Sequence, residues 1–463
     1  MTKVLFVYPY VGSGLGYYNF GIGFISSLLK KNGHKTYLKR INVDKHSKKE
    51  LIKKIEEVEP DLIAFSFPSS HYLHVKLFAK WIKEEFNIPI LCGGVHTTLC
   101  PDEVLSDENV DMVCVGEGEY PMLELANNID NGKKIKNIKN MWFKNKKNPI
   151  RPLISNLDEL PFPDRELFDY SKLLKVLPRA EFMAGRGCPF NCTYCCNHIL
   201  KNICKGGRYV RIRSIENVLS EIREVTENYD VKMIQFHDDT FTLFPKWIKN
   251  FCKKYKENFD IKFVCNGRIE TITKEVLIAL KDAGCEAINI GVETGNEWLR
   301  KEILNRKMNN EQILNVFKMT KEVGLETAAF YMVGLPYETP EMIEETIKFN
   351  EILSPDRFQV SIFYPYPETE LWHICKKEGF LTDRNTSSYF RDSIVDLPTI
   401  TRKQIEKYYR ILSNQSIDME IKYFFKSYPP FISKIFEKLS ALVNHPTKRL
   451  IIDMFCNIRE KIM

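Results

Sequence analysis

The stretch "AEFMAGRGCPFNCTYCCNH", from Ala180 to His198, decides the fold and raises the question of what its cysteines hold. Its four cysteines fall within nine positions: Cys188, Cys192, Cys195 and Cys196. Structural zinc sites usually take four ligands from two separated pairs. Disulfide scaffolds spread an even number of cysteines along a short secreted chain. The cluster fits neither pattern well, which leaves open what the four cysteines hold and whether all of them are ligands.

The composition predicts a globular protein of two or three domains. The chain has 463 residues, of which 44% are hydrophobic. Its 13 cysteines are an odd number, and the first residues, "MTKVLFVYPY", read as a strand without a signal cleavage site. We therefore expect a reducing, cytoplasmic location. No apolar run reaches the roughly 18 residues that a membrane span needs.

The positive charge is concentrated at one end of the chain. Of the net charge of +7, most lies in residues 401–463, which hold twelve Lys or Arg and six Asp or Glu. The remainder is close to neutral, which argues against a nucleic-acid partner.

Residues 1–140 are predicted to form a flavodoxin-like (Rossmann-like) α/β domain. Five apolar segments read as strands: Val4–Tyr8, Thr36–Ile41, Leu62–Phe67, Ile88–Cys92 and Met112–Val115. Four amphipathic segments between and after them read as helices: Gly21–Lys31, Lys48–Val58, Tyr72–Phe86 and Tyr120–Ile129. This alternation predicts a parallel sheet with helices on both faces, and ligands of such sheets bind beyond the carboxyl ends of the strands.

Glycine-bearing segments fall at three of those strand ends. "VGSGLG" follows the first strand, "GGVHTT" the fourth and "GEGE" the fifth. Tyr17 stands where a G-x-G-x-x-G pattern would have its third glycine, so a nicotinamide dinucleotide site is not favoured.

A second βα series follows a linker at residues 141–177. The linker contains the extended, proline-bearing segment Asn156–Asp169, and the region before that segment, residues 131–148, suggests a short, basic hairpin that caps the first domain. Residues 178–400 read as six strands with five helices between them, a partial (βα)₆ barrel of the TIM type. Ser214 and Thr273 are predicted helix N-caps, and Gly284 and Gly324 are predicted C-caps. Residues 401–463 read as a helical, basic region.

The cysteine cluster follows the first barrel strand, where active sites of such barrels lie. Cys188-x₃-Cys192-x₂-Cys195 would put three thiolates on a [4Fe–4S] cluster and leave one iron open for catalysis. This spacing resembles that of the radical S-adenosylmethionine (SAM) enzymes. The resemblance implies that SAM chelates the open iron and that its reduction releases a 5′-deoxyadenosyl radical. A zinc site completed by His198 or Cys204 is the alternative.

Further segments at the barrel strand ends match the same family. The resemblance implies that SAM is bound by Tyr194, Asp238, Arg268, Glu293, Gly334 and Pro336. Glu368 departs from the family pattern, which has glycine there. Each charged residue in this set could instead form a structural ion pair.

The N-terminal domain and the segment "LDELPFPDR" resemble the cobalamin-binding subfamily over about residues 1–400. The resemblance implies a cobalamin site at Gly12, Ser66, Ser69, Gly93, Gly94, Gly116, Glu117 and Gly118. "DKHSKK" matches the cobalt-ligating D-x-H-x-x-G motif only in part, because Lys49 replaces the glycine. His46 is therefore expected to be a solvated loop residue, and the implied cobalamin is base-off without a His ligand.

The resemblance implies a class B (cobalamin-dependent) methyltransferase that uses SAM, the [4Fe–4S] cluster and methylcobalamin. Its target would be an unactivated carbon or a phosphinate. The alternatives are a cyclase or rearrangement enzyme resembling the anaerobic porphyrin cyclase, a methylthiotransferase, and a non-catalytic cobalamin sensor.

The expected partners are a small-molecule or lipid-like substrate and an external electron donor such as flavodoxin or ferredoxin. The tail "YFFKSYPPFISKIFEKLSALVNHPTKRLIIDMF" mixes apolar and basic residues. It reads either as helices that cap the open barrel or as a basic amphipathic surface that meets a membrane.

Overall fold

The computed structural model describes residues 1–11, 18–204 and 206–425, with side chains up to residue 419. Five strands of the first domain are β1 Lys3–Tyr10, β2 Lys35–Asn42, β3 Leu62–Ser66, β4 Ile90–Gly93 and β5 Met112–Cys114. Its helices are α1 Phe20–Lys31, α2 Lys48–Val58, α3 Tyr72–Glu85, α4 Val95–Leu99, α5 Pro101–Ser106 and α6 Glu119–Asp130.

The first sheet confirms the flavodoxin-like prediction. Its order is β2-β1-β3-β4-β5, and all four pairings among these strands are parallel. This is the doubly wound order in which ligands bind at the carboxyl ends of the central strands. Apolar strand residues such as Leu5, Ile63 and Val113 are buried in one core with helix residues such as Leu51 and Phe78.

A basic hairpin extends this sheet, as the sequence predicts. It consists of β6 Met141–Phe143 and β7 Lys146–Lys147, and β6 pairs antiparallel with β5. The indole nitrogen of Trp142 donates to the carbonyl of Asn148 at 2.8 Å.

The linker ends in helix α7, Tyr170–Val176. Two adjacent linker residues, Asp164 and Arg165, make contacts that fix its path. The Asp164 carboxylate accepts from the Ser26 hydroxyl at 2.6 Å and pairs with Lys30 at 2.7 Å, both on α1. Arg165 pairs at 2.7 Å with Glu221. The segment is therefore fixed by specific contacts and is not only an extended connection.

The second series forms a six-stranded sheet in the order β15-β14-β13-β12-β11-β8. These strands are β8 Ala180–Phe182, β11 Ile234–Phe236, β12 Phe263–Gly267, β13 Cys285–Glu293, β14 Glu326–Val333 and β15 Arg357–Ile362. A two-residue ladder lies apart from them, made of β9 Gly185–Arg186 and β10 Arg211–Ile212. Sequential order in one sheet confirms the partial barrel.

The barrel helices are α8 Asn197–Ile203, α9 Ile215–Asn228, α10 Pro245–Asn258, α11 Lys274–Asp282, α12 Asn310–Val323, α13 Pro340–Leu353 and α14 Glu370–Lys377. Ser214 and Thr273 accept from backbone amides at the starts of α9 and α11, as N-caps do. Gly324 is the left-handed C-cap of α12. Gly284, with φ of 89°, follows the C-cap of α11.

The C-terminal region is helical where it is described. Helix α15, Arg402–Phe425, packs on β15, and the Ser416 hydroxyl donates to the carbonyl of Phe358. The segment predicted to cap the open barrel, residues 423–455, lies outside the described residues from the end of this helix onward, as does the rest of the tail. No helix in the described ranges combines the length and hydrophobicity that crossing a membrane requires.

The chain divides into two compact units. The first is residues 1–241, 257–263 and 365–374, and the second is residues 242–256, 264–364 and 375–463. The first unit holds the flavodoxin-like domain, the linker and the cysteine loop.

Candidate active site

The three predicted cluster cysteines lie in one loop between β9 and α8. Gly187 opens this loop with φ of 84°, and a Cβ atom there would lie 2.7 Å from the carbonyl oxygen of Tyr209. Only glycine fits that position. The amide of Cys195 donates to the carbonyl of Cys192 at 3.1 Å, which closes a turn between them. The C-x₃-C-x₂-C spacing is thereby folded into a single loop.

Two of the three thiols in this loop lie near polar side chains. Cys188 Sγ lies 3.8 Å from Thr240 Oγ1, and Cys195 Sγ accepts from Asn197 Nδ2 at 3.5 Å. Among the described residues, no group of three or more His, Cys, Asp or Glu side chains is placed to hold a metal ion. A four-iron cluster binds its thiolates at separate corners, so three cysteines of one loop fit it without converging on one point.

Cys196 differs from Cys195 in its electrostatics. A hydrogen bond from Cys196 lowers the pKa of the Cys195 thiol more than burial raises it. The same contact, together with burial, raises the pKa of Cys196. Cys196 is the N-cap residue of α8. The neighbouring thiols are thus unequal, with Cys195 the more readily ionised.

Asp238 supports the backbone that leads into the loop. Its Oδ2 accepts from the amide of Ala184 at 3.0 Å, and the side chain is buried. Burial is the main cause that raises its pKa to about 7. Burial also raises the pKa of Asp239, the next residue, whose carboxylate accepts a hydrogen bond from Asn197. Tyr194, in the loop itself, is half-buried.

In the second unit, two predicted SAM-binding residues have ion-pair partners. Arg268 follows β12 and pairs with both carboxylate oxygens of Glu270, at 3.0 and 2.9 Å. Glu293 ends β13 with φ of 71° and accepts from Arg306 Nη1 at 3.1 Å. Both predicted residues are buried at the carboxyl ends of adjacent strands. Each of the two residues therefore forms the kind of structural ion pair that the sequence left open as an alternative. Both side chains nevertheless lie at the strand ends.

Gly334 and Pro336 belong to a buried turn after β14. Gly334 has φ of 80°, and its amide donates to Glu338 Oε2 at 2.6 Å. Leu335 donates to the same oxygen at 3.2 Å. Glu338 is fully buried, and burial raises its pKa to about 8. Sequence reasoning missed this carboxyl, although the motif "VGLPYET" contains it.

In the first domain, the strand-end loops pack closely on one another. A Cβ atom at Gly94, where φ is 89°, would lie 2.8 Å from the amide nitrogen of Phe67 and 3.0 Å from Ser66 Oγ. At Gly93 a Cβ atom would meet nothing closer than the carbonyl oxygen of Phe65, at 3.7 Å. Gly94 is thus required by protein packing, whereas the backbone at Gly93 has an uncrowded side.

Thr98 joins the segments that follow β4 and β5. Thr98 Oγ1 donates to the carbonyl of Gly94 at 2.9 Å and accepts from the amide of Gly116 at 3.1 Å. Gly116 has φ of 87°, and a Cβ atom there would lie 3.4 Å from Cys204 Sγ. Gly118 is the N-cap residue of α6. The predicted residue Gly12 lies outside the described residues.

His96 is a polar residue at these strand ends that sequence reasoning missed. Its Nδ1 lies 3.0 Å from Ser69 Oγ, and its ring packs against Tyr72. The buried Nε2 makes no hydrogen bond with the described residues. Burial lowers the pKa of His96 to about 4, so the ring is neutral near pH 7. The nearest acid, Glu103, has a carboxylate oxygen 3.9 Å from Nε2, beyond hydrogen-bonding distance. A buried polar atom without a hydrogen bond at these strand ends suits a site for a polar cofactor such as cobalamin.

The carboxylate of Glu117, the remaining residue of the predicted cobalamin site, is paired with other groups of the protein. Its carboxylate pairs with Arg186 and Arg211, each at 2.9 Å, and accepts from the amide of Ile154 at 2.8 Å. Sequence reasoning missed both arginines. The adjacent sequence "GRGC" was a signal for Arg186, since it stands two residues before Cys188.

Two family models match the chain. Residues 183–349 match the radical SAM superfamily, and residues 13–126 match the B12 binding domain. These ranges contain the cysteine loop and the described strand-end loops of the first domain, respectively.

Two curated relatives cover most of the chain. An uncharacterized methyltransferase of Pyrococcus horikoshii is 31% identical over 370 residues, 78% of this chain and 79% of that protein. The anaerobic magnesium-protoporphyrin IX monomethyl ester cyclase of Rubrivivax gelatinosus is 26% identical over 397 residues, 80% of this chain and 69% of that enzyme.

A solved structure shares the fold. The cobalamin-dependent S-adenosylmethionine radical enzyme OxsB, with aqua-cobalamin and S-adenosylmethionine bound, superposes with a TM-score of 0.70 at 17% identity. The match covers 100% of this chain and 76% of that one.

Proposed function

Because the chain belongs to the radical SAM superfamily, in the group that carries a B12-binding domain, we propose that it transfers a methyl group from SAM to an unactivated carbon or a phosphinate. One observation carries the proposal. The cysteine loop and the strand-end loops of the first domain belong to one compact unit and are joined by ion pairs of Arg186 with Glu117 and Glu119. Methyl transfer that uses two cofactors requires binding loops that are neighbours.

The proposal gives the cluster to Cys188, Cys192 and Cys195. We propose that SAM is bound by the side chains and backbone of Tyr194, Asp238, Arg268, Glu293, Gly334 and Pro336. When bound, the cluster would supply the electron that cleaves SAM, and cobalamin would carry the methyl group. The chain's own part is to hold these groups and to keep water from the radical.

The cobalamin site is proposed at Ser66, Ser69, Gly93, Gly94, Gly116, Glu117 and Gly118, together with Gly12. His96 joins this set because its Nε2 is buried and makes no hydrogen bond with the described residues. We propose a base-off cofactor without a His ligand from the D-x-H position. The Nδ1 atom of His46 lies 2.9 Å from the carbonyl oxygen of Val43, and the ring packs against Trp81.

The proposed partners are a small-molecule substrate and an external one-electron donor, such as flavodoxin or ferredoxin. Radical SAM enzymes use external reductants, which fits a chain that must deliver an electron to a bound cluster. A lipid-like substrate and membrane contact remain proposals about the tail. We also propose a reducing compartment.

A cyclase or rearrangement enzyme is the second candidate. It is favoured by the 26% identity with the magnesium-protoporphyrin cyclase over 80% of this chain. Both candidates would use the same cofactors, so they differ only in the fate of the methyl group of SAM.

A methylthiotransferase is less well supported. It would need a second three-cysteine cluster in the first domain, where Cys92, Cys100 and Cys114 are the candidates. Cys92 lies within β4 and Cys114 ends β5, and both are buried. Burial is the main cause that raises the pKa of both thiols, which disfavours ligand thiolates.

The test uses anaerobically reconstituted protein with a chemical reductant, added cobalamin and SAM that carries a deuterated methyl group. The proposal predicts 5′-deoxyadenosine and deuterated methyl label on the cobalamin, both measured by mass spectrometry. Cobalamin that stays unlabelled while SAM is cleaved would overturn methyl transfer. Absence of SAM cleavage would favour a non-catalytic cobalamin sensor.

A further inference from the structure

Arg186 connects the cysteine loop to the first domain through two carboxylates. Its Nη1 donates to Glu117 Oε1 at 2.9 Å, and its Nη2 donates to Glu119 Oε1 at 2.7 Å. Both acids lie where β5 leads into α6, in the segment "GEGE". Arg186 itself ends β9, two residues before Cys188. One guanidinium therefore joins a strand end of the first domain to the start of the cysteine loop.

A second arginine completes the network. Arg211 of β10 lies directly opposite Arg186 in the antiparallel ladder. Like charges at opposed positions destabilise a ladder unless an acid lies between them. Glu117 Oε1 fills that role, since it accepts from Nη1 of both arginines at 2.9 Å. The second oxygen of Glu117 accepts from the amide of Ile154, whose carbonyl accepts from Arg211 at 2.8 Å.

The network is neutral and shielded from solvent. It contains two arginines and two glutamates, with side-chain exposures of 17% for Arg186 and Glu117, 6% for Arg211 and 4% for Glu119. Burial disfavours the charge of Arg186, yet Glu119 and Glu117 together raise its pKa. The Phe24 ring packs 4.9 Å from the guanidinium carbon. Charge-assisted, two-pronged contacts of this kind fix geometry as well as energy.

We propose that Arg186 is a positioning residue that sets the separation and orientation of the cysteine loop relative to the strand-end loops of the first domain. This inference rests on the proposed function, because that separation decides whether a methyl group can pass between the two proposed cofactor sites. Arg186 touches neither the cysteines nor the proposed cobalamin glycines through any contact described above. It acts through the backbone of β9 and through Glu117 and Glu119.

The test compares wild type with Arg186→Lys and Arg186→Met. Lysine keeps the positive charge but lacks the planar fork that contacts both carboxylates at once. Methionine leaves Glu119 without its arginine partner. Lys147→Met is the matched control, because Lys147 pairs with Asp102 on the exposed surface of the same domain.

Hydrogen exchange on the chain without cofactors gives the first readout. The proposal predicts that backbone amides in residues 116–119 and 185–188 exchange about tenfold faster in Arg186→Met and are unchanged in Lys147→Met. Unchanged exchange in both segments of Arg186→Met would overturn the proposal.

The second readout is a ratio of products from reconstituted protein supplied with deuterated-methyl SAM. Formation of 5′-deoxyadenosine requires only the cluster and SAM. Labelling of added cobalamin also requires that the SAM site and the cobalamin site be correctly placed relative to each other. Positioning predicts that labelled cobalamin falls about tenfold relative to 5′-deoxyadenosine in Arg186→Lys, and further in Arg186→Met. If the two products fall in proportion, or neither falls, the proposal is overturned.

The two readouts distinguish the positioning role of Arg186 from the proposed methyl transfer. Should Arg186→Met fail to fold, Arg186→Lys decides by the same ratio and the same exchange measurement. Wild-type protein that forms 5′-deoxyadenosine without labelled cobalamin would overturn the proposed function. Hydrogen exchange would still decide whether Arg186 joins the two segments.

Discussion

At the scale of single residues, the charged side chains at the strand ends were found from the sequence, but their partners were not. Arg268 pairs with Glu270, and Glu293 pairs with Arg306, thirteen positions away. A chain pattern shows which residue follows a strand. Glu270 stands only two positions from Arg268. Arg306, however, reaches Glu293 through packing between separate segments, which a chain pattern does not show.

The two adjacent thiols provide the first prediction. Cys196→Ala should retain the iron–sulfur cluster and SAM cleavage, because Cys196 is the N-cap residue of α8 and is assigned no ligand role. Cys192→Ala should lose both, since it removes one of three proposed ligands. Iron content and visible absorbance of anaerobically reconstituted protein check this. Loss of the cluster in Cys196→Ala would contradict the three-cysteine assignment.

Glu338 provides a prediction about pH. Burial raises its pKa from the ordinary value of 4.5 to about 8, so the folded chain binds a proton that the unfolded chain releases. Its contribution to stability is complete below about pH 4.5 and is lost as the pH rises through 8, by about 1.4 kcal/mol per pH unit.

Glu338→Gln keeps a neutral side chain of the same shape and should remove this dependence. Urea unfolding from about pH 5 to pH 8 should show the variant gaining stability relative to wild type as the pH rises. The exposed Glu351→Gln is the control and should follow wild type. If the difference in unfolding free energy between Glu338→Gln and wild type did not change with pH, Glu338 would not bind that proton.

At the scale of elements, the long helices and strands were predictable because their apolar spacing is regular. The helices α4 and α5 were not, since five and six residues are too few to show a helical period. The β9–β10 ladder was missed for the same reason, because it has two residues in each strand. These short elements carry contacts of the candidate site, including Arg186 and His96.

The loop after β4 provides an element-scale prediction with a matched pair. Gly94 and Gly33 both have positive φ, of 89° and 83°. A Cβ atom at Gly94 would lie 2.8 Å from the amide nitrogen of Phe67, whereas at Gly33 nothing lies within 4 Å. Backbone strain should cost roughly 1–2 kcal/mol in Gly33→Ala and roughly 1–3 kcal/mol in Gly94→Ala, because the ψ of −173° at Gly94 belongs to a region that essentially only glycine adopts. Gly94→Ala should lose roughly 1–3 kcal/mol more from overpacking.

Chemical denaturation of the two variants checks this difference in unfolding free energy. Equal losses would mean that the loops after β3 and β4 can move apart without cost. The tight packing described for the candidate cobalamin site would then be wrong.

At the scale of the whole molecule, the order of domains was predictable from the sequence, but the attachment of the linker was not. Prolines in "LPFPDR" predict an extended segment. They do not reveal that Asp164 contacts α1 while the next residue, Arg165, contacts α9. Such contacts depend on residues far along the chain, such as Glu221.

Arg165 is therefore expected to matter for the stability of the first compact unit. Arg165→Met removes one of the two arginines paired with the buried Glu221, which keeps Arg213, and should cost about 1.5–3 kcal/mol of unfolding free energy through the lost charge-assisted contact. Lys172→Met is the control, because its pair with Asp169 is exposed and should be worth less than about 1 kcal/mol. Urea unfolding measures both. A loss in Arg165→Met no larger than that of the control would show that the linker contact is dispensable.

The central claim is that this chain moves the methyl group of SAM onto a substrate. The most direct measurement supplies reconstituted enzyme, cobalamin and reductant with a pool of candidate small molecules and SAM that carries a deuterated methyl group. The account predicts a product that contains all three deuterium atoms and that forms only when cobalamin is present. A product that forms without the label would contradict methyl transfer and favour the cyclase or rearrangement enzyme.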